Sequence, residues 1–501
     1  MYYVLLIAAL LLNVVAYIFS VERKFVEEAI LCTLVLLSFY YCLSLFYKRG
    51  NYLSITAVGV AAVFLATNQA LGLGTYLIYG QPFNYGFALS ILNVSVREAW
   101  SMFLAMPIGI VLFALLVLLN FYVVMHFPFK IKQVFLNYFL AACCLLIPLG
   151  TLLFFQYQGG LGDTKAAVFF RNNMFYNART FAHALQEHEE RKNIKKSNAD
   201  YTHLKHTEQG IETLVLVIGE SARRQNMSLY GYDRITTPEQ DKQRARMKLY
   251  TQMVSPAALT LLSVPMLLSN IPPERFQDSK AQFADNILAM ANHLGYTTSW
   301  LSNQEQGGRF VFTISNMAQF ALEQQWYASY DEVLLAPVER IIHAKGGKRL
   351  IVLHINGSHA NACDKVPQKD VFFQGDNVAL DCYDNSILYT DKLLGKLFSF
   401  LEDKNAALVY LSDHGQKHEG NRFFHADSQE ASQVPYYIWY ADGVRQSLKD
   451  IRSVEEMASL QVNYYEIAKL MGVMNLEMPK FEPLMYLKSD LSLIEYNNLA
   501  P

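Results

Sequence analysis

Carboxylate and imidazole side chains follow directly after three short apolar runs of this sequence. Mixed oxygen and nitrogen donors of this kind suit zinc, with manganese as the second choice. A single Asp-His-Gly is usually only a turn, and a single Glu after a strand is more often the acid at a helix N-terminus. The prediction of a metal site therefore rests on their joint occurrence. The side chains concerned are Glu220, His354, His359, Asp413, His414 and His425.

Thr260, which carries a hydroxyl group, is the first residue of an apolar stretch within the segment Ser255–Pro265. On its own it could simply hydrogen-bond to the first turn of a helix. The pKa of a hydroxyl is too high for attack on phosphorus, but a coordinated Zn²⁺ would stabilise the alkoxide near neutral pH. The cation would also neutralise charge that develops on phosphoryl oxygens. Together with the metal site, Thr260 is therefore a candidate nucleophile.

The runs that carry these side chains are short and β-branched, and longer helix-like stretches such as Gln282–Leu294 and Asp384–Glu402 separate them. Strands alternating with helices predict an α/β domain whose mainly parallel sheet is flanked by helices. Ligands of such sheets bind at the carboxyl ends of the strands. The predicted strands are Thr213–Ile218, Thr297–Leu301, Leu350–Ile355, Ala407–Leu411 and Pro435–Tyr440.

The first 155 residues differ in composition, because they hold only eleven of the 86 charged residues. A helix that crosses about 30 Å of hydrocarbon needs about 20 apolar residues. Five stretches are long enough: Tyr2–Ser20, Ala29–Tyr47, Ile55–Tyr79, Met102–Pro128 and Val134–Phe155. Within the third stretch, Asn68 and Gln69 are predicted to form a helix–helix hydrogen bond, with the lining of a lipid or substrate groove as the alternative.

Lysine and arginine in short loops mark the cytoplasmic side of a membrane. Lys48 and Arg49 lie between the second and third stretches, and Lys130 and Lys132 lie between the fourth and fifth. The N-terminus is therefore predicted to be cytoplasmic. The predicted domains are a five-helix transmembrane bundle over 1–156, membrane-surface helices with a linker over 157–210, and an outer α/β domain over 211–501.

Further features of the sequence indicate the compartment of the outer domain and limit the classes of partner and function. Cys363 and Cys382 are the only cysteines of the outer domain, and an oxidising compartment predicts that they form a disulfide, with two buried free thiols as the alternative. The chain has 42 basic and 44 acidic residues, so its charge gives no indication of a nucleic acid partner. The predicted spans contain no Asp, Glu, Lys or Arg, which disfavours a transporter.

Seven motifs occur in order along the chain: Gly-Glu-Ser-Ala-Arg at 219–223, Ser-Leu-Tyr-Gly-Tyr at 228–232, Thr-Thr-Pro at 236–238, Thr260 with Ser263-Val264-Pro265, Gly-Ser-His at 357–359, Tyr-Asp-Asn-Ser-Ile-Leu-Tyr-Thr-Asp at 383–391, and Leu-Ser-Asp-His-Gly at 411–415. In these motifs the chain resembles the phosphoethanolamine transferases of Gram-negative envelopes, members of the alkaline phosphatase/sulfatase-like superfamily. Five spans before a periplasmic catalytic domain is also the arrangement of that family.

The resemblance implies roles for individual residues. The implied zinc ligands are Glu220, Asp413 and His414, with Thr260 as the metal-bound nucleophile. His359 and His425 match histidines that contact the phosphoryl group or a second metal, and one of them would protonate the departing lipid alkoxide. His354 matches a further site histidine. Gln304 stands where relatives place a polar residue that contacts phosphate.

The chain departs from its relatives at two places. Many relatives bracket the nucleophile with a disulfide, whereas Met253 and Met266 occupy that neighbourhood here, so packing must hold the loop. Relatives that modify lipid A often carry a lysine shortly after the position of Gln304, and only Arg309 could replace it here. The resemblance therefore favours a core heptose over lipid A as the acceptor.

The implied reaction is a transfer in two steps. Thr260 attacks phosphatidylethanolamine and diacylglycerol leaves, and an acceptor hydroxyl of lipopolysaccharide or lipooligosaccharide then takes phosphoethanolamine from the threonine. The expected protein is a monomer of the bacterial inner membrane, in contact with membrane lipids. The alternatives are a phosphoglycerol transferase that uses phosphatidylglycerol, and a non-catalytic envelope membrane protein. A sulfatase is disfavoured, because Ser255–Leu259 lacks the arginine of the Ser/Cys-x-Pro-x-Arg motif.

Overall fold

The structure is a computed structural model of the chain. It describes residues 26–48, 50–79, 83–93, 107–126, 177, 180–186, 199–277, 284–304, 312–344, 346–359 and 361–501. The chain divides into two compact units, Met1–Gln186 and Glu187–Pro501. The predicted spans Tyr2–Ser20 and Val134–Phe155, and most of the predicted 157–210 segment, lie outside the described residues.

The described part of the first unit is helical. Its helices are α1 (Val26–Tyr47), α2 (Tyr52–Tyr79), α3 (Tyr85–Asn93) and α4 (Pro107–Met125). Helices α1, α2 and α4 fall within or around the second, third and fourth predicted spans, whereas α3 was not predicted. Among the described residues, Tyr52–Thr75 is long and apolar enough to cross a membrane, and Gly109–Met125 forms a shorter apolar stretch.

Three of these apolar helices are joined by polar side chains. Asn120 Nδ2 donates to Gln69 Oε1 at 2.9 Å, and the Tyr40 hydroxyl donates to Asn120 Oδ1. All three side chains are buried, and Leu65 and Val123 lie in the apolar cluster shared by the same helices. Polar groups among apolar helices are costly unless they are paired. Gln69 therefore makes the helix–helix hydrogen bond that the sequence predicts.

The second unit is built on an eight-stranded sheet with the order β11-β2-β10-β7-β1-β6-β4-β5. These strands are β1 (Thr213–Gly219), β2 (Met247–Tyr250), β4 (Thr297–Ser302), β5 (Glu323–Trp326), β6 (Arg349–His354), β7 (Ala406–Ser412), β10 (Tyr436–Tyr440) and β11 (Arg452–Val454). Strands β7, β1, β6, β4 and β5 pair in parallel. Strand β10 is antiparallel to both of its neighbours, so the sheet is mixed.

The central strands are the ones that the apolar runs predict. Every residue of β1, β6 and β7 is buried, because a strand covered on both faces has no solvent side. The strands that were not predicted, β2, β5 and β11, have only three or four residues and include polar ones such as Lys248, Gln324 and Arg452. The Pro435–Tyr440 run was correctly predicted as a strand, but its apolar pattern carries no information about its direction.

Helices and short hairpins complete the second unit. The remaining helices are α5 (Pro238–Gln243), α6 (Thr260–Leu268), α7 (Ile287–His293), α8 (Phe312–Ala318), α9 (Leu335–His343), α10 (Val378–Leu401), α11 (Gln429–Ser432) and α12 (Val462–Leu470). The remaining strands are β3 (Met253–Val254), β8 (Lys417–Glu419), β9 (Arg422–Phe424), β12 (Ala458–Ser459), β13 (Met485–Leu487) and β14 (Leu493–Glu495). A disulfide joins Cys363 to Cys382 of α10.

We predict that Arg349 is a main stabilising residue of this sheet. It is 8% exposed at the start of β6, and its guanidinium donates to five backbone carbonyls at and after the end of α9. Arg349→Met should lower the free energy of unfolding by about 2–3 kcal/mol, because buried carbonyls lose charged donors. Denaturant unfolding followed by the fluorescence of the buried Trp300 and Trp439 measures this change.

Arg340→Met is the matched control. Its guanidinium forms an exposed ion pair with Glu323 at 3.3 Å, and such a pair contributes less than about 1 kcal/mol. Equal effects of the two substitutions would contradict the stabilising role of Arg349.

Candidate functional site

The carboxyl ends of four neighbouring strands lie side by side at one edge of the sheet. Ile218 of β1 is in register with Leu411 of β7 and His354 of β6, and His354 is in register with Ser302 of β4. The predicted site residues follow these strand ends in the sequence. The parallel geometry thus brings together loops that are far apart along the chain.

Glu220, Asp413 and His414 form a buried cluster at this edge. Their ligand atoms lie within 4.8 Å of one another, and the three residues are at most 1% exposed. His414 Nε2 lies 3.5 Å from Glu220 Oε1 and 3.3 Å from Asp413 Oδ2. The structure therefore brings together the three residues that the sequence predicts as metal ligands.

The hydroxyl of Thr260, the first residue of α6, meets this cluster. Its Oγ1 donates to Glu220 Oε2 at 3.0 Å and lies 3.1 Å from His414 Nε2. Helix α6 begins at this residue, and Leu259 before it has an extended backbone. The side chain therefore projects from the start of a helix towards both a carboxylate and an imidazole.

The hydrogen bond of His414 selects its tautomer. Nδ1 lies 2.9 Å from the carbonyl of Gly415, and a ring nitrogen bonded to a carbonyl must carry the proton. In the neutral ring, Nε2 then keeps its lone pair and points it towards Thr260 and the carboxylates. This is the arrangement of a histidine that binds a metal.

The donor set fits a divalent cation. Asp413 Oδ2 is buried and has no hydrogen-bond partner within the described part of the chain. Burial, together with the nearby charge of Glu220, raises the pKa of Asp413 to about 7. Burial also acts to raise the pKa of Glu220, but the neighbouring charges of His414 and His359 outweigh it and lower that pKa. Two carboxylates and one imidazole suit zinc.

The turn after β1 is held in a sparsely populated backbone conformation. Ser221 has a φ of 59°, in the left-handed region that few non-glycine residues adopt. Its Oγ donates to Glu220 Oε1 at 2.6 Å, and its backbone N–H donates to Asp413 Oδ1 at 3.1 Å. The Tyr383 hydroxyl donates to its carbonyl at 2.5 Å. Ser221 therefore contacts both carboxylates of the cluster.

The loop after β6 is packed directly on the Glu220 backbone. Gly357 has a φ of 49°, and a Cβ added there would lie 2.9 Å from the Glu220 carbonyl oxygen. Buried Asp331 accepts the backbone N–H groups of Asn356 and Gly357 at 2.8 and 3.0 Å. Ser358 N–H donates to the Glu220 carbonyl at 2.9 Å. Glycine at 357 is thus required by both the left-handed φ and the close approach.

Two of the predicted histidines lie beside the cluster. The ring of His425 is 4.7 Å from that of His414 and 6.4 Å from that of His359. Nδ1 of His425 lies 3.2 Å from the carbonyl of Ala258 in the loop before Thr260. Burial, reinforced by the charge of His414, lowers the pKa of His425 to about 3. His359 and His425 are therefore neighbours, and His425 contacts the loop before Thr260.

His354, Gln304 and Arg309 have different surroundings. His354 is 1% exposed at the end of β6, its ring is 5.8 Å from that of Trp300, and burial lowers its pKa to about 4. Gln304 Nε2 donates to Glu220 Oε2 at 3.1 Å and to the Ile355 carbonyl at 3.0 Å. Gln304 thus contacts a predicted ligand. Arg309 lies outside the described residues.

Several buried residues that support the site were not assigned roles from the sequence. Asp384 accepts from Asn226 at 2.9 Å, from Tyr232 at 3.0 Å and from Arg234 at 2.9 Å. Asp391, in the same motif, accepts two backbone N–H groups of α5. The motif itself was the available signal, but only the fold shows that these carboxylates connect the motifs at 228–232 and 236–238 to α10.

Comparisons with known proteins agree with this fold. The sequence model of the Sulfatase family matches residues 212–473. YhbX of Escherichia coli (strain K12) is 35% identical over 468 residues, which cover 88% of this chain and 84% of YhbX. The phosphoethanolamine transferase OpgE of the same strain is 30% identical over 314 residues, 58% of each chain.

Two solved structures share the fold. The integral membrane lipooligosaccharide phosphoethanolamine transferase A (EptA) of Neisseria meningitidis superposes with a TM-score of 0.67 at 20% identity, covering 100% of this chain and 98% of EptA. The periplasmic domain of EptC of Escherichia coli, solved in complex with Zn, gives a TM-score of 0.53 at 21% identity over 60% of this chain and 98% of that domain. The chain belongs to the Sulfatase family of the alkaline phosphatase-like superfamily, and its relatives there include phosphoethanolamine transferases.

Proposed function

We propose that this protein transfers phosphoethanolamine from phosphatidylethanolamine to a lipopolysaccharide or lipooligosaccharide acceptor, through a covalent phosphothreonine at residue 260. The observation that carries the proposal is the position of Thr260 Oγ1, 3.0 Å from Glu220 Oε2 and 3.1 Å from His414 Nε2. A hydroxyl held between a carboxylate and an imidazole is an activated nucleophile. The 30% identity to OpgE supports phosphoethanolamine as the transferred group.

The reaction we propose has two displacements at phosphorus. The Thr260 hydroxyl gives its proton to Glu220 Oε2, which already accepts its hydrogen bond, and its oxygen forms a bond to phosphorus while the bond between phosphorus and the diacylglycerol oxygen breaks. The departing alkoxide takes a proton from His359 or His425, which lie together beside the cluster. An acceptor hydroxyl then loses its proton to a site histidine and bonds to phosphorus, and the Thr260 ester breaks. The leaving Thr260 oxygen takes its proton back from Glu220, and the threonine is regenerated.

We propose zinc as the cofactor, held by Glu220, Asp413 and His414. When bound, zinc would lower the pKa of the Thr260 hydroxyl and neutralise charge on the phosphoryl oxygens. Its support here is the buried, unpartnered Asp413 Oδ2 and the tautomer of His414. The number of metals during turnover depends on whether His359 and His425 bind substrate or a second ion.

Both substrates are lipids, so the catalytic domain has to work at a membrane. We propose five spans over residues 1–156, a linker over 157–210 and a periplasmic catalytic domain over 211–501, in the inner membrane. The apolar helix Tyr52–Thr75 and the full-length superposition on EptA support this arrangement. A periplasmic reporter enzyme fused after Pro501 tests it, because an inactive reporter would contradict a periplasmic domain.

Thr260→Ala should abolish both the covalent intermediate and transfer, because it removes the hydroxyl that lies between Glu220 and His414. Membranes are incubated with phosphatidylethanolamine labelled in the headgroup, and label on the protein is measured. Thr251→Ala is the control, since among the described residues the Thr251 hydroxyl donates to the Val454 carbonyl and to Glu455 and not to the Glu220 cluster. Transfer retained by Thr260→Ala would refute the nucleophile assignment.

A parallel arm with phosphatidylglycerol labelled in its headgroup tests the alternative donor. The same wild-type and Thr260→Ala membranes are used. Label that reaches Thr260 from phosphatidylglycerol alone would establish a phosphoglycerol transferase instead, and label from neither lipid would favour a non-catalytic envelope protein.

The metal proposal predicts that the purified protein contains about one zinc per chain. Asp413→Asn should weaken zinc binding about 100-fold or more, because it removes a charged ligand, and chelation should lower the melting temperature of the wild type. Elemental analysis and competition with a chromophoric chelator measure these effects. Glu419→Gln is the control, since Glu419 is exposed and pairs with Lys417. Zinc binding unchanged in Asp413→Asn would contradict the ligand set.

We propose a core heptose as the acceptor, because only Arg309 stands where relatives that modify lipid A carry a lysine. Mass spectrometry of the envelope glycolipids from a deletion strain should show phosphoethanolamine lost from the core and retained on lipid A. Complementation with the wild type and with Thr260→Ala separates the direct effect from an indirect one. Loss from lipid A alone would contradict the proposed acceptor.

A further inference from the structure

The segment from Thr260 back to Val254 has to be held in place without a local cross-link. We call residues 254–260 the nucleophile loop. Met253 and Met266 lie on either side of it, and both are fully buried. The loop is anchored on its inner side, where Ser255 Oγ donates to the Asp413 carbonyl at 2.5 Å and Ser255 N–H to the Ser432 carbonyl at 2.7 Å. Its outer side needs a separate support.

The C-terminal hairpin, residues 485–500, covers that outer side. Leu487 N–H donates to the carbonyl of Pro256 at 2.8 Å. Tyr486, Tyr496 and Leu499 are each at most 5% exposed and form one apolar cluster with two residues of the nucleophile loop, Val254 and Ala258. A well-packed apolar contact of this kind restricts the backbone on which it lies.

The same hairpin also contacts residues 425–429, which we call the His425 loop. Asp427 accepts the Ser489 hydroxyl at 2.6 Å, the Ser489 N–H at 3.1 Å and the Tyr486 hydroxyl at 3.2 Å. Gln429 N–H donates to the Ala500 carbonyl at 2.8 Å. One hairpin therefore contacts both loops, and the Tyr486 side chain takes part in both contacts.

The two loops meet inside the site, at the contact between His425 Nδ1 and the Ala258 carbonyl at 3.2 Å. Because the Ala258 carbonyl accepts from Nδ1 of His425, the relative position of the two loops sets where the His425 ring lies beside Thr260. On the side of the nucleophile loop, the contact is made by a backbone atom. Its geometry therefore depends on the part of the chain that packs against both loops.

We propose that the C-terminal hairpin is a positioning element, which holds the nucleophile loop and the His425 loop in register through Tyr486, Ser489 and Asp427. This inference rests on the proposed function and adds the residues that align its nucleophile with His425. None of the three residues touches the reacting atoms. Their effect on transfer passes through Ala258 and His425.

The test compares two serines of the same hairpin turn. The Ser489 hydroxyl donates to Asp427 at 2.6 Å, and the Ser492 hydroxyl donates to Asp490 at 2.5 Å in an exposed turn. Ser489→Ala should lower kcat about tenfold and leave the KM for phosphatidylethanolamine within about twofold, because alignment and not binding is lost. Ser492→Ala removes an equivalent hydroxyl bond and should leave kcat unchanged.

Asp427 supplies the stronger variant and its rescue. Asp427→Ala removes the acceptor of the Ser489 hydroxyl, the Ser489 N–H and the Tyr486 hydroxyl, and should lower kcat at least as far as Ser489→Ala. Asp427→Asn keeps one acceptor oxygen and should recover part of the loss. If Asp427→Ala fails to fold, the pair Ser489→Ala and Ser492→Ala still decides, since both remove one hydroxyl from the same turn.

Hydrogen exchange of the full-length protein gives a readout that does not depend on the substrate. Ser489→Ala should speed exchange about fivefold in peptides covering both 254–260 and 425–429, and Ser492→Ala should not. If the wild-type protein showed no transfer activity, the proposed function would be refuted, but the comparison of hydrogen exchange in the two serine variants would still test the positioning role. Unchanged exchange in both loops, or equal kcat in the two serine variants, would overturn the positioning role.

Discussion

Two carboxylates held together where water does not reach are the constraint on which this domain depends. Glu220 and Asp413 are at most 1% exposed, and like charges so close and so buried cannot both stay ionised without a compensating charge. Burial raises the pKa of Asp413, and the nearby charge of Glu220 raises it further. A divalent cation would remove the repulsion between the two carboxylates, and the surrounding structure keeps the two groups from moving apart. The hydroxyl of Thr260 is placed where it would share the same cation.

Many of the polar side chains around the cluster hold the backbone in place. Ser221 holds the two carboxylates from one side, and Asp331 holds the backbone on which Gly357 approaches Glu220. Asp384 and Asp391 connect α10 to the segments near 230 and 240. Buried polar groups must find partners, so each of these carboxylates fixes several donors at once.

The sequence predicted most of what depends on local pattern. Buried strands such as β1 and β7 read as apolar runs, and parallel pairing places Glu220 and Asp413 at one edge. The antiparallel direction of β10 could not be predicted, because an apolar run has the same pattern in a parallel and in an antiparallel strand. Nor could the left-handed backbone of Ser221, which tertiary hydrogen bonds impose on a residue that does not prefer it. The contact of Gln304 with Glu220 likewise depends on how two distant loops pack.

The strand order has a consequence for how the protein is made. Strand β1, which precedes Glu220, pairs on one side with β7, and 192 residues separate Ser221 from Asp413. At about 5–20 residues per second the ribosome needs roughly 10–40 s to pass from one to the other. During that interval the growing chain contains Glu220 but not yet Asp413 or His414. A cation held by Glu220, Asp413 and His414 could therefore bind only after the second half of the sheet has emerged and docked, so its loading would be a late event in biogenesis.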